Sequence, residues 1–221
     1  MTLDNTAKLS DIISALQNMQ GINAKADVVS VVNSKGANVT TANAWFDIVG
    51  AINGLSNVKS VQEGSLNFTG SSIDITINPV DLNKAILVFE IKQVGNTAYS
   101  QYIAARGKIL NSTTLRFERA TASATYYPQI RYKVIEFNNV RSLQRLDFTF
   151  DGSTIPLNIA INPLTNISKT HVFYSRKCAG NDANNTIFLS QLYPVDVNNL
   201  RLDYGANTNS QDFHAQIIEF N

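Results

Sequence analysis

At 221 residues the chain can form one large domain or two to three small ones, and an apolar share of 44% supports a core of ordinary size. Charged residues make up only 16%, with Asn, Ser and Thr in their place, and the net charge of +1 comes with no run of Lys and Arg, so nucleic-acid binding is not expected. The single cysteine, Cys178, cannot form an internal disulfide and suits synthesis in a reducing cytosol. The opening residues show no basic stretch followed by a long apolar core, so no secretory signal is expected. No apolar run approaches the roughly 18 residues that membrane insertion would need.

Residues 1–58 read as helical. Leu9, Ile12, Ile13 and Leu16 fall on one helical face, and Gly21 is a plausible stop. Ala26 to Val32 is a short apolar patch, strand or helix. A second helix follows, capped by Thr40 or Thr41, with Trp45, Ile48, Val49 and Ile52 as its apolar stripe and Gly54 at its end. Stripes this narrow call for a partner, so these eight apolar residues are the expected docking face.

From about residue 60 the apolar period changes to two. Leu66 and Phe68, Ile73 to Ile77, Ala85 to Ile91, Tyr102 to Ala105, Thr114 to Arg119 and Ile130 to Phe137 read as strands. The unbroken apolar run at Ala85 to Ile91 suits a central strand buried on both faces. Gln129, Arg131 and Lys133 alternate with Ile130, Tyr132 and Val134, as in a strand with one wet face. The second half gives strands at Asp147 to Phe150, Ile155 to Ile161, His171 to Tyr174, Thr186 to Leu192, Leu200 to Tyr204 and Phe213 to Phe220. The loop from Cys178 to Asn185 is long, polar and rich in Asn.

The two halves repeat each other. Ile75-Thr76-Ile77-Asn78-Pro79 returns as Ile159-Ala160-Ile161-Asn162-Pro163, Leu115-Arg116-Phe117-Glu118 as Leu200-Arg201-Leu202-Asp203, and Val134-Ile135-Glu136-Phe137 as Ile217-Ile218-Glu219-Phe220. The offsets of 84, 85 and 83 residues keep register along the whole unit, which argues for a duplicated module. Modules of about six short strands with no helix close as β-sandwiches. The expected fold is therefore mainly β: a helical region over 1–58, then two tandem homologous β-sandwich modules at 59–139 and 140–221. Each Asn-Pro marks a strand end, because proline has no N–H for a ladder. Glu136 with Arg116 and Glu219 with Arg201 are expected as structural ion pairs, since an unpaired buried carboxylate is costly.

Reactive constellations are scarce. There is no phosphate-binding glycine loop, nucleophile elbow or zinc spacing. The two histidines, His171 and His214, lie on different strands of the second half. A Cys–His couple of His171 and Cys178 near Asp182 is formally open, as is calcium at Asp196 or Asp203. No catalytic residue, metal or cofactor is assigned, and the chain is not expected to be an enzyme. Aromatic and polar loop residues, namely Tyr99, Tyr102, Tyr126, Tyr127, Asn181, Asp182 and Asn184, are the candidates for adhesion.

The segments Ser71 to Ala85, Leu115 to Ala120 and Ile130 to Phe137 resemble β modules in minor structural proteins of tailed-bacteriophage virions, as does Lys35 to Ile52 with its Lys-Gly, Val-Thr and short-helix phrase. The second repeat departs from that pattern: His171 to Tyr174 replaces the apolar run, and Pro163-Leu164-Thr165-Asn166 lacks the Asp. The resemblance implies a multi-copy virion component, often trimeric, whose N-terminal part docks on the particle. Other virion proteins and further copies of the chain would be its partners, a host-surface glycan a possible one, with no membrane insertion. It would be assembled in the host cytoplasm and released by lysis. The alternatives are a capsid decoration or head-fibre protein and, in another class, a carbohydrate-binding or carbohydrate-processing β module.

Overall fold

The structure, a computed structural model, describes residues 25–34, 37–48, 57–96, 99–151, 156–178, 190–204 and 210–221. They fall into two compact units, Met1–Asn57 and Val58–Asn221. The described part of the first unit has a helix over 25–34, a turn at 41–42 and one helical turn over 45–48. The apolar patch at 26–32 is thus helical. Val29, Val32, Val39 and Ile48 form a small core, and the Asn33 side chain holds both backbone groups of Val39 at 2.8 and 2.9 Å. The second helix is not capped by Thr40 or Thr41. The Asp47 carboxylate accepts from the Ala44 N–H at 3.1 Å, while Thr40 is bonded to Asn43 Oδ1 through its own N–H and hydroxyl.

The second unit is all β: twelve strands among the described residues, in four antiparallel sheets of three. The first six strands are β1 (Val58–Asn67), β2 (Ser72–Thr76), β3 (Ala85–Val94), β4 (Arg106–Asn111), β5 (Thr114–Glu118) and β6 (Tyr127–Phe137). They form sheet A, in the order β1-β6-β3, and sheet B, β2-β5-β4. Then come β7 (Val140–Phe150), β8 (Leu157–Ala160), β9 (Thr170–Cys178), β10 (Ser190–Pro194), β11 (Asn199–Tyr204) and β12 (Gln211–Phe220). These form sheet C, β7-β12-β9, and sheet D, β10-β11-β8. Adding six to each strand number in the first pair of sheets yields the neighbours in the second pair.

Each pair encloses its own core. Phe68, Leu87, Ile109, Leu115, Phe117, Ile130 and Val134 fill the space between sheets A and B, and Phe150, Leu192, Leu200, Leu202, Phe213 and Ile217 that between C and D. Two expectations about strands need correction. Tyr102 to Ala105 is not a strand; a 3-10 turn spans Ser100–Tyr102, and β4 starts only at Arg106. Nor is β3 central. It is an edge of sheet A, and Ala85, Ile86 and Leu87 are all buried because the second sheet pair lies against that edge.

The two pairs share a corner built from the same parts. Gln62 takes the place of a strand neighbour for Asn78, donating to its carbonyl at 3.0 Å and accepting its N–H at 2.7 Å. Gln144 does the same for Asn162, at 2.9 Å in both directions. Below each corner sits a buried carboxylate. Glu136 accepts from the Asp81 N–H at 3.1 Å and the Ser60 hydroxyl at 3.2 Å. Glu219 accepts from the N–H groups of Thr165 and Asn166 at 2.9 and 2.7 Å and from the Ser142 hydroxyl at 3.2 Å. The β1–β6 register slips at Lys59 and the β7–β12 register slips at Arg141. A bulge re-aims its side chain, and these two bases turn to the carboxylates, Lys59 at 2.7 Å and Arg141 at 4.0 Å.

The expected pairs of Glu136 with Arg116 and Glu219 with Arg201 are therefore not formed. Arg116 alternates with Leu115 and Phe117, which point into the core, so it faces away from sheet A and grips Asp74 across the strand pair at 2.7 Å. Arg201 pairs with Asp203 on its own strand at 2.7 Å.

Burial alone would push the Glu136 carboxyl up, but bonds from Lys59, the Asp81 N–H and Ser60 hold it below the usual carboxylate range. A depressed pKa contributes stability above the unfolded-state value that is lost as pH falls through the folded one. Replacing Glu136 with Ala strands the Asp81 N–H and is expected to cost on the order of 2–3 kcal/mol in urea unfolding at neutral pH. The deficit relative to the parent should shrink below pH 4. A constant deficit across that range would mean that the carboxylate charge plays no part.

Candidate functional site

At one end of the first sheet pair, three segments meet on a single buried cation. Arg119 follows β5 and is 2% exposed. Its Nε donates to the Gly70 carbonyl at 2.6 Å, and its Nη1 to those of Tyr102 and Tyr126 at 2.6 and 2.9 Å. Its Nη2 donates to the carbonyls of Thr69 and of Ser123, the latter at 3.1 Å. All five donors of the guanidinium fork are thus engaged. Burial pulls its pKa down, yet an arginine stays protonated, and five carbonyl dipoles plus the Phe68 ring at 5.3 Å answer the charge.

This pin holds the backbone of a tyrosine cluster. The Tyr99 and Tyr102 rings meet edge-on with centroids 6.3 Å apart, and Tyr102 and Tyr126 are tilted at 5.7 Å. Tyr99 is 43% exposed. Gly95, at φ +81°, lets the turn after β3 pass against Thr125, whose carbonyl would lie 2.4 Å from a Cβ there. Of the tyrosines expected to act in adhesion, Tyr99, Tyr102 and Tyr126 come together, while Tyr127 lies in the ladder opposite Val94. Asn181, Asp182 and Asn184 lie outside the described residues. Arg119 thus holds the backbone of Tyr102 and Tyr126, and the half-exposed Tyr99 ring packs on that of Tyr102.

A second feature is the seam between the sheet pairs. The Gln216 amide on β12 bonds both backbone groups of Leu87 at 2.8 and 2.7 Å, closing the free edge of β3. Arg145 on β7 donates to the carbonyls of Leu82 and Ala85, both at 2.6 Å. The Ser175 hydroxyl accepts from the Gly107 N–H at 3.1 Å and donates to its carbonyl at 3.2 Å, closing the edge of β4. Beside the seam is a cleft of about 490 Å³, walled by Phe89, Ile91, Phe173 and Tyr174. Its polar groups face the protein: the Tyr174 hydroxyl donates to the Ser190 carbonyl at 2.5 Å, and Arg176 to the Ser190 hydroxyl at 2.7 Å.

The seam contains one arrangement that resembles catalytic machinery. His214 Nδ1 is 2.6 Å from Asp147 Oδ1, and Lys108 reaches the same carboxylate at 3.4 Å. A histidine held by a carboxylate serves as a base only where its other nitrogen meets a proton to remove. His214 Nε2 is buried without a hydrogen-bond partner, and the Ser175 hydroxyl across the ladder is committed to Gly107. The His171–Cys178 couple is not formed either. The two lie at opposite ends of β9, seven residues and roughly 23 Å apart at about 3.3 Å per residue. His171 packs edge-on against Phe220 with centroids 6.0 Å apart, and Cys178 is buried beside Ala104.

Among the described residues no group of three His, Cys, Asp or Glu side chains could hold a metal ion, and no helix is long and apolar enough to cross a membrane. Asp196 is occupied by the Asn198 N–H and the Asn199 amide, Asp203 by Tyr193 and Arg201. The expected docking face is described only at Trp45, which is half exposed, and Ile48, which is buried; Leu9, Ile12, Ile13, Leu16, Val49 and Ile52 lie outside the described residues. Comparison with protein-family models, with curated proteins and with solved structures finds no match to this chain.

Burial pushes the His214 pKa down, against the pull of Asp147; Lys108 and Arg145 add to the downward push. The unfolded state therefore binds the proton first, and stability falls as pH drops below the ordinary histidine value near 6.5. His214→Gln, which cannot take up a proton, is expected to flatten the melting-temperature profile between pH 6.5 and the onset of carboxylate titration. An unchanged slope in that variant would place the acid sensitivity elsewhere.

Proposed function

We propose that the chain is a structural protein of a bacteriophage virion, displayed on the particle surface. In this reading residues 1–58 dock on the tail, baseplate or fibre, and two copies of one β-sandwich module, 59–139 and 140–221, project from it. The observation that carries it is the nature of what recurs. Gln62 and Gln144, Ser60 and Ser142, Glu136 and Glu219 each hold backbone, at matching places in the two sheet pairs. What is kept twice is architecture, and the His214–Asp147 couple, with its imidazole buried in the seam, meets no free nucleophile among the described residues.

The resemblance of Ser71 to Ala85, Leu115 to Ala120, Ile130 to Phe137 and Lys35 to Ile52 to tailed-phage modules supplies the virion setting. The low charge and neutral polar surface suit a protein packed in many copies, and we take a homotrimer as the assembled form. The Tyr99–Tyr102–Tyr126 patch supports attachment to a host-surface glycan, since aromatic faces offer much contact area for few frozen torsions. A capsid decoration or head-fibre role uses the same features and differs only in where the protein sits. Most carboxylates among the described residues are engaged by ion pairs, turns and corners, which favours binding of carbohydrate over its hydrolysis.

Mass spectrometry of gradient-purified particles from a lysate of the producing host is expected to find the chain in intact virions, with head and tail fractions assigning its place. Absence from particles would overturn the reading. Purified protein should bind host cells without releasing sugar from wall polysaccharide. A Tyr99→Ser, Tyr126→Ser double variant should lose about tenfold or more in cell binding while still entering particles. Turnover of polysaccharide would instead favour the enzyme.

A further inference from the structure

The seam joins unlike surfaces: the outer face of sheet C meets the β3–β4 edge. A contact of this head-to-tail kind repeats indefinitely, or closes a ring, whenever each unit carries both surfaces. Each sheet pair here has a face and an edge at matching positions. Among the described residues the seam does not use one such face and one such edge, namely the outer face of sheet A and the β9–β10 edge. The chain thus carries the geometry for adding copies end to end through the surfaces that already meet inside it.

The register assigns the counterpart of each seam residue. Val134 pairs with Gln62 and Leu87, and Ile217 with Gln144 and Val172. Counting from these, Arg145 corresponds to Glu63, Gln216 to Lys133, His214 to Arg131 and Ser175 to Glu90. On the receiving edge Leu87 corresponds to Val172. The side chains that close β3 and β4 as donors and two-way amide or hydroxyl bridges are thus replaced by charges. Glu63 and Lys133 sit opposite each other in the ladder and pair at 3.5 Å, with both side chains more than half exposed. Glu90 and Arg131 also sit opposite each other, both exposed.

A carboxylate at position 63 cannot donate to the carbonyls that Arg145 holds, and an ammonium at 133 cannot accept the N–H that Gln216 holds. Covering this patch with a second copy's β9 would strip water from four charges and leave strand groups unsatisfied. Charged residues are a known guard against edge pairing. Here they lie on the face that would cover the edge.

We propose that Glu63, Glu90, Arg131 and Lys133 bar the outer face of sheet A from the β9–β10 edge of a second copy, so that the seam forms once, within one chain. The inference concerns this face alone and does not rest on the virion reading.

The first test grafts the seam side chains onto the barred face of the full chain: Glu63→Arg, Glu90→Ser, Arg131→His and Lys133→Gln. In sedimentation velocity its weight-average mass should at least about double over that of the parent as concentration rises. A folded variant that tracks the parent at every concentration would overturn the proposal. The second test moves charge the other way, as Arg145→Glu with Gln216→Lys, and holds even if the graft fails to fold. Small-angle scattering should show the sheet pairs parting, with far-ultraviolet circular dichroism unchanged. A seam that stays shut would overturn the proposal. So would dissociation of a parent oligomer on the single change Lys133→Glu, since that would make the face an interface already.

Discussion

A β-sheet ends in a row of backbone groups that need partners, and the second unit of this protein is organised around how one such row is closed. At Leu87 the Gln216 amide supplies both a donor and an acceptor, as a neighbouring strand would. Arg145 and Ser175 extend that closure along β3 and β4. Leaving either backbone group of Leu87 buried and unpaired would cost on the order of 1–3 kcal/mol, a large part of the stability of a domain this size. This explains why the outer face of β12 is buried where that of β6 is wet, although the two strands hold matching places.

The repeated corner works on a shorter range. An Asn-Pro step cannot continue a ladder, because the proline brings no N–H. Gln62 and Gln144 satisfy the Asn from the side, and a buried carboxylate gathers the N–H groups just beyond. Without a base that carboxylate would be an unpaired buried charge, and the bulge at Lys59 or Arg141 delivers one. Sequence, backbone irregularity and electrostatics thus meet in one small assembly, built twice.

Much of the β architecture was legible because burial on one face imprints a period of two, as at Gln129 to Val134, and because the recurring segments keep their spacing. The apolar run at Ala85 to Ile91 reads as a central strand, since an edge covered by another sheet pair has the same composition as a strand between neighbours. The matching segment, His171 to Tyr174, lacks the run, and its strand is likewise an outer one. Ion-pair partners are not legible in the sequence because partner choice follows cross-strand register: Arg116 meets Asp74 because β2 and β5 are neighbours. Arg119, Gln216 and the two corner glutamines carry no comparable signal. A polar side chain that bonds backbone leaves no periodic trace, although the recurrence of Gln62 as Gln144 was open to view.

Amide hydrogen exchange on the full chain, compared at Leu87 and Val172, tests most directly whether one edge is closed and its counterpart open. The account predicts slow exchange at Leu87 that becomes fast in Gln216→Ala, with fast exchange at Val172 in both proteins. Equal protection of the two amides, or a Leu87 amide indifferent to Gln216, would contradict it.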